Sequence, residues 1–262
     1  MLYISGTLKK GKNKNTVKDL FSSQSQLYQS ARPSYSQDVL DEILQHVNEH
    51  QFAWDCGAGS GQFTQLLSPY FKKVVATDLS EQQLKQAPHF DNVTYQVECA
   101  EKTSFPDHCF DLITVAQAIH WFNFEEFYRE VKRTLKPKGI FAVIGYGLFS
   151  VDDLQVNSEI QHVYFQILKE YWDAERRYID ENYQTIPFPF KEVETAQLKM
   201  SYQWSASQLL DYLNTWSAVK HYRQKNENDL FDQLKQLLVE KGDVLFQVNF
   251  PILLRVGCLK DH

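Results

Sequence analysis

The stretch Phe52-Ala53-Trp54-Asp55-Cys56-Gly57-Ala58-Gly59-Ser60-Gly61-Gln62-Phe63 runs from a short apolar strand, through three alternating glycines, into a helical pattern. In open α/β sheets such a turn is where nucleotide-like ligands rest. Glycine lets the backbone come close to a ligand and adopt positive φ. The dinucleotide fingerprint G-x-G-x-x-G needs its third glycine at position 62, which is Gln62. A pyrophosphate calls on helix N–H groups and the helix dipole. A sulfonium cofactor brings an amino acid and a cation instead, so the carboxylate of Asp55 is useful to it rather than repulsive. A ligand-free turn, a dinucleotide site and a sulfonium site all remain open on the glycines alone.

Working outward, Val39, Leu40, Ile43, Leu44 and Val47 recur at helical spacing upstream of the strand. Downstream, a helix is expected to carry Phe63, Leu66, Leu67 and Tyr70 and to end near Pro69. The strand Val74–Asp78 follows, then Ser80 as the N-cap of a helix that Pro88 closes. Further strands are expected over Val93–Cys99 and Asp111–Ala116. Phe124, Phe127, Tyr128, Val131 and Leu135 form a helical stripe, which Lys136-Pro137-Lys138-Gly139 breaks before a fifth strand, Ile140–Ile144. Short apolar strands alternating with amphipathic helices predict an α/β fold: a Rossmann-like sheet, mostly parallel, with helices on both faces and right-handed crossovers.

After Gly147 the rhythm changes. Ile160, Val163, Tyr164, Ile167, Leu168 and Tyr171 predict one long helix, Leu209, Leu213 and Trp216 another, and Leu230, Leu234, Leu237 and Leu238 a third. Val244–Leu259 reads as strand interrupted by Pro251, antiparallel at the sheet edge, and Val193–Trp204 is left open between strand and loop. The expected division is a mobile basic arm over 1–27, a cofactor-binding core over 28–149, an inserted helical lid over 150–222, and sheet-closing material over 223–262.

The net charge of −6 gives no general pull toward nucleic acid or an anionic membrane. Lys9, Lys10, Lys12, Lys14 and Lys18 are spread among polar residues rather than flanking an apolar signal core. Cys56, Cys99, Cys109 and Cys258 have no C-x-x-C or metal-ligand spacing, so no metal is expected. No run reaches the length of a membrane span. These features make the cytoplasm the expected location. Asp78 ends the second strand, where a carboxylate can accept two hydrogen bonds from ribose hydroxyls or complement the next helix's dipole.

Asp55–Gly61, Val74–Asp78, Ala100-Glu101 and Phe110–Trp121, in this order, resemble the class I S-adenosylmethionine-dependent methyltransferase domain of type 11. Gln117-Ala118-Ile119-His120-Trp121-Phe122, Tyr171-Trp172-Asp173 through Arg176-Arg177-Tyr178, and Thr215-Trp216-Ser217 are similar to its trans-aconitate methyltransferase and embryo-abundant-protein-like subgroup. The resemblance implies that Asp55, Gly57, Ala58 and Gly59 hold the methionine part of S-adenosyl-L-methionine, whose product is S-adenosyl-L-homocysteine. It implies ribose binding at Asp78 beside Leu79, an adenine edge at Ala100 and Glu101, and a methionine contact at Gln117. Many relatives have an aspartate where this chain has Cys99. The segment from Tyr28 to Tyr35 would fold over the cofactor, with Tyr28 covering it and Arg32 pairing with its carboxylate.

On the acceptor side the expected residues are His120, as the catalytic or orienting group, and Trp121 as an apolar wall. Arg176 and Arg177 are expected carboxylate anchors, and Trp216, with Trp172, Tyr183 and Tyr222, gives an aromatic lining or simply a packed lid. A small-molecule acceptor, a carboxylate among the options, is favoured. The alternatives are a nucleic-acid or protein methyltransferase, against which the acidic balance and the lack of an Asn-Pro-Pro-Tyr-type motif count, and a cofactor-binding protein without turnover.

Overall fold

The computed structural model describes residues 32–260. Five strands run parallel: β1 (Phe52–Cys56), β2 (Lys73–Asp78), β3 (Val93–Val97), β4 (Phe110–Ala116) and β5 (Leu135–Tyr146). The central strands are buried almost without a break because both faces are covered. Successive residues enter opposite cores, as the two-residue period of a strand requires. Ala53, Leu112, Ala142 and Ile144 join one core with Val39, Leu40 and Ile43 of helix α1 (Gln37–Leu44). Trp54, Ile113, Val115, Phe141 and Val143 join the other.

A thirteen-residue strand, β9 (Phe246–Cys258), lies antiparallel to β5, and three short strands pair with it: β6 (Ser150–Val151), β7 (Lys191–Val193) and β8 (Lys199–Trp204). The sheet order is β3-β2-β1-β4-β5-β9-β6, with β7 and β8 also on β9. The stretch Val193–Trp204 is thus resolved as strand β8 and the end of β7. Helices α2 (Thr64–Leu67), α3 (Glu81–Leu84), α4 (Phe124–Thr134), α5 (Leu154–His162), α6 (Arg177–Asp180), α7 (Ala206–Asn214), α8 (Ser217–Arg223) and α9 (Asp232–Lys241) complete the fold.

Four local expectations are corrected. The helix after the glycines has only four residues, and Tyr70 lies outside it at 41% exposure. Lys136–Gly139 does not separate helix from strand: it bulges within β5, where Leu135 opposes Phe110 and Ile140 already opposes Leu112. The helix expected over 160–171 ends at His162 and passes through a π turn, with Leu168 N–H bonded to the Val163 carbonyl at 2.9 Å, into a 3₁₀ turn. Pro251 does not interrupt β9; it sits where β8 gives way to β5 as the strand's partner. Proline has no N–H to offer a ladder, but its carbonyl still accepts from Gly147 N–H at 3.0 Å. Among the described residues no helix is long and apolar enough to cross a membrane, and no group of His, Cys, Asp and Glu is placed to hold a metal.

Candidate functional site

The chain leaves β1 toward β2 and β3, then returns to lay β4 and β5 on the other side. That reversal opens a crevice above the carboxyl ends of β1 and β4, the usual ligand position in such sheets. Gly57 and Ala58 N–H groups both donate to the Thr77 carbonyl, at 2.8 and 2.9 Å, tying the turn to β2. Gly57, Gly59 and Gly61 all have positive φ, at +70°, +56° and +78°. A Cβ on Gly57 would lie 2.6 Å from that of Ala118. The glycine turn and the segment after β4 therefore touch.

At the end of β2, Asp78 Oδ2 accepts Gly59 N–H at 2.9 Å and Oδ1 accepts Ser80 N–H at 2.8 Å. Burial raises this carboxyl above its ordinary range. Each oxygen keeps a further lone pair for a hydroxyl donor. Beside it Leu79 is 60% exposed, and Val97 at the end of β3 is exposed as well. Apolar side chains left open next to a hydroxyl-accepting carboxylate suit a nucleoside, whose ring covers them. Ala100 is buried nearby. Glu101 accepts the Cys99 thiol at 2.8 Å and the Asn123 N–H at 2.9 Å, joining the β3–β4 connection to the start of α4. The residues present therefore fit S-adenosylmethionine.

Asp55 is placed differently from its neighbours. It is fully buried, with Oδ2 accepting from Thr64 Oγ1 at 2.6 Å and Oδ1 from Thr114 Oγ1 at 2.9 Å. Burial pushes its carboxyl up to about 6, and the two hydroxyls pull back. It lies beneath the turn rather than on its open side. The two threonines had no sequence signal of their own.

Gln117 closes β4 in a left-handed conformation, φ +55°, which a side chain other than glycine seldom adopts. Its main-chain N–H donates to Ile144, its Nε2 to the Tyr146 carbonyl at 3.2 Å, and its Oε1 accepts from Tyr183 at 3.2 Å. Strain held by so many bonds marks a site where backbone direction matters. The 3₁₀ turn Ile119–Trp121 follows. His120 is buried there, and its Nδ1 has no hydrogen-bond partner among the described residues. Burial, with help from the Arg176 and Arg32 charges, pulls the imidazole down to about 3, so it is neutral at pH 7.

A cavity that is partly open to solvent is lined by Gln117 and His120. It brings together Arg32, Trp121, Arg176 and Trp216 from the sequence expectations. Arg176 donates to the Tyr164 hydroxyl at 2.7 Å, lies 3.5 Å from Asp180, and stacks over Trp172 at 4.9 Å. Arg177, by contrast, is exposed and lies over Tyr178, outside the cavity lining. Adjacent residues of a helical turn point about 100° apart, and here Arg176 faces the cavity while Arg177 does not. Trp172 lines the cavity, Tyr183 is buried against Gly145, and Tyr222 packs on Tyr171 away from it. Tyr28 lies outside the described residues, as does the arm 1–27. Sequence reasoning missed Tyr146, Asp173, Thr215, Ser217 and Lys220 in the lining. Asp173, Thr215 and Ser217 fall within the stretches quoted around Trp172 and Trp216, whereas Tyr146 and Lys220 had no sequence signal.

The methyltransferase domain family Methyltransf_11 matches residues 54–143. A putative methyltransferase of Dictyostelium discoideum is 37% identical over 244 residues, covering 89% of this chain and 92% of that relative. An uncharacterized methyltransferase of Schizosaccharomyces pombe is 24% identical, covering 86% and 90%. A solved structure of a putative type II methyltransferase from Anaeromyxobacter dehalogenans superposes with a TM-score of 0.81 at 34% identity, covering 88% of this chain and 99% of that one.

Proposed function

Since the chain belongs to the class I S-adenosylmethionine-dependent methyltransferases, we propose that it methylates a small anionic molecule, a carboxylate giving a methyl ester, in the cavity beside Gln117. The observation that carries this reading is the cavity's charge: apart from Arg32, which is taken below to face the cofactor, Arg176 and Lys220 line it against the carboxylate of Asp173. Guanidinium and ammonium groups in a partly desolvated recess favour an anion. The similarity of Gln117–Phe122 to the trans-aconitate methyltransferase and embryo-abundant-protein-like subgroup supports the same class.

In this reading Gly57, Ala58, Gly59 and Gln117 hold the methionine part, Asp78 and Leu79 the ribose and its surroundings, and Ala100 and Glu101 the adenine edge. Arg32 faces the methionine carboxylate. Asp55 contributes charge from beneath the turn. When bound, the cofactor supplies a methyl group already activated by its sulfonium. What the protein must add is alignment and exclusion of water, which together can account for several kcal/mol. The helical parts of residues 150–222 act as the lid that excludes water, while β6, β7 and β8 within that range belong to the sheet. A carboxylate is anionic at pH 7 and needs no general base. His120 suits that, because an imidazole held so far below its ordinary value is a weak base and serves by hydrogen-bonding the acceptor. Trp121 forms an apolar wall beside it.

The test is methyl transfer from radiolabelled S-adenosylmethionine, with a metabolite panel, nucleic acid and protein as separate acceptors. Label in the small-molecule fraction that alkali releases as methanol is expected. Label in nucleic acid or protein alone would overturn the reading.

A further inference from the structure

The turn that follows α6 is held in an unusual shape. Asn182 and Tyr183 are both left-handed, at φ +53° and +59°. Asparagine tolerates that region, but a bulky aromatic residue seldom does, and such strain persists only where neighbours over-determine it. Here they do. Tyr183 N–H donates to the Tyr178 carbonyl at 2.7 Å, and the Tyr183 carbonyl accepts from Arg255 Nη1 at 3.1 Å. The same guanidinium donates to the Ile186 carbonyl at 2.8 Å and to both carboxylate oxygens of Glu192 in β7, each at 2.7 Å. Through Arg255, β9 clamps this turn onto the sheet.

The Tyr183 side chain is fully buried, its ring 6.4 Å from that of His120. It lies so close to Gly145 in β5 that a Cβ there would meet its Cε2 at 2.6 Å and its hydroxyl at 2.7 Å. That hydroxyl reaches Gln117 Oε1 at 3.2 Å. Tyr146 fixes the direction of this bond. Its main-chain N–H can only donate, to Oε1 at 3.3 Å, and its carbonyl can only accept, from Nε2 at 3.2 Å. The amide oxygen is thus the atom turned to Tyr183, and the hydroxyl must donate. Two strained residues, Gln117 and Tyr183, are joined by their side chains across the sheet's end. Gln117 lines the cavity, and the residue after it, Ala118, meets the glycine turn. Tyr183 is not itself part of that lining.

We infer that Tyr183 is a positioning residue of the cofactor site: its hydroxyl holds the Gln117 amide in the orientation that contacts the methionine part of S-adenosylmethionine. The inference rests on the Gln117 contact proposed above and adds what controls it. Packing alone does not call for the hydroxyl, since phenylalanine would fill the same space. Without it the amide is held only by the main chain of Tyr146. The turn clamped by Arg255 thereby sets the seat of the methyl donor as well as closing the acceptor side.

Calorimetry of S-adenosylhomocysteine on the full chain tests this without any acceptor. Tyr183→Phe should weaken binding about fivefold, the loss expected of one neutral hydrogen bond. Gln117→Met and Gln117→Ala should weaken it too. Adding Tyr183→Phe to either should then take away nothing more, a non-additivity that a general loosening of the fold does not produce. Thermal unfolding without ligand checks that each variant is folded. Tyr183→Phe removes one oxygen and keeps the ring, so it decides on its own if neither Gln117 variant folds. Unchanged affinity in Tyr183→Phe overturns the inference. So does a further fivefold loss, or about that, when Tyr183→Phe is added to a Gln117 variant, because Tyr183 then acts by another route. The Gln117 variants alone separate the two levels. If they bind as tightly as the wild type, the contact proposed for Gln117 fails and the inference with it. If they bind weakly while Tyr183→Phe binds normally, only the role of Tyr183 fails.

Discussion

A methyl group added at Gly57 would meet two obstacles, a backbone at φ +70° and the Ala118 Cβ at 2.6 Å. Gly57→Ala should therefore cost about 1–3 kcal/mol from backbone strain, and more from the contact. Adding Ala118→Gly should return the contact part and leave the strain, a coupling that urea unfolding of the three variants would measure. His120 is legible in a different way, through pH. Its folded imidazole titrates at about 3, against an ordinary value of 6.5. The unfolded chain thus binds the proton more readily, so the stability this neutral ring contributes is full above about pH 6.5 and is lost as pH falls from there toward 3. Asp55 works in the opposite sense: lifted from 3.8 to about 6, it costs stability as pH rises through that interval. In His120→Gln only the Asp55 effect of the pair remains, so its unfolding free energy relative to wild type should improve as pH drops from 6.5 to 4.5, checked by urea titrations across that range. The glycines, Asp78 and His120 could be picked out from sequence because a tight turn, a strand end and a post-strand position each favour few residue types. Asp173, and the choice of Arg176 over Arg177, could not. They depend on the phase of a short irregular turn, which no periodicity records.

Among the elements, β9 holds the two halves of the sheet together: its first part pairs with β6 and β8, its second with β5 and β7. Phe250 sits fully buried on the first part, its ring 5.2–5.5 Å from those of Tyr146, Phe149, Trp204 and Tyr212. Phe250→Ala should destabilise the protein by about 3–5 kcal/mol, seen as a lower urea midpoint. It should also weaken binding in the cavity, which Tyr146 and Tyr212 line. The five parallel strands could be read from sequence because burial on both faces makes continuous apolar runs. Strands β7 and β8 could not, since they alternate with exposed polar residues and owe their pairing to a strand some fifty positions away. Pro251 was misread for the same reason: whether a missing N–H matters depends on where the partner strand ends.

The molecule as a whole is acidic, at −6, while its cavity gathers three cationic side chains. A positive recess in a negative surround concentrates field lines at the mouth, and mobile salt screens them over about 10 Å at 0.1 M. Lys220→Met should raise KM for an anionic acceptor about tenfold, leave the affinity for S-adenosylhomocysteine unchanged, and flatten the fall of kcat/KM with added salt. Steady-state kinetics at low and high salt would read all three. The position of β9 in the chain has a consequence for biosynthesis. It follows every strand that it joins, so a ribosome completes β5 long before anything can cover its outer edge. While residues 147–245 are being made, the nascent chain shows neighbouring polypeptides an unpaired row of N–H and carbonyl groups. Translation of residues 147–245 is therefore the interval over which the edge that β9 will cover stands open.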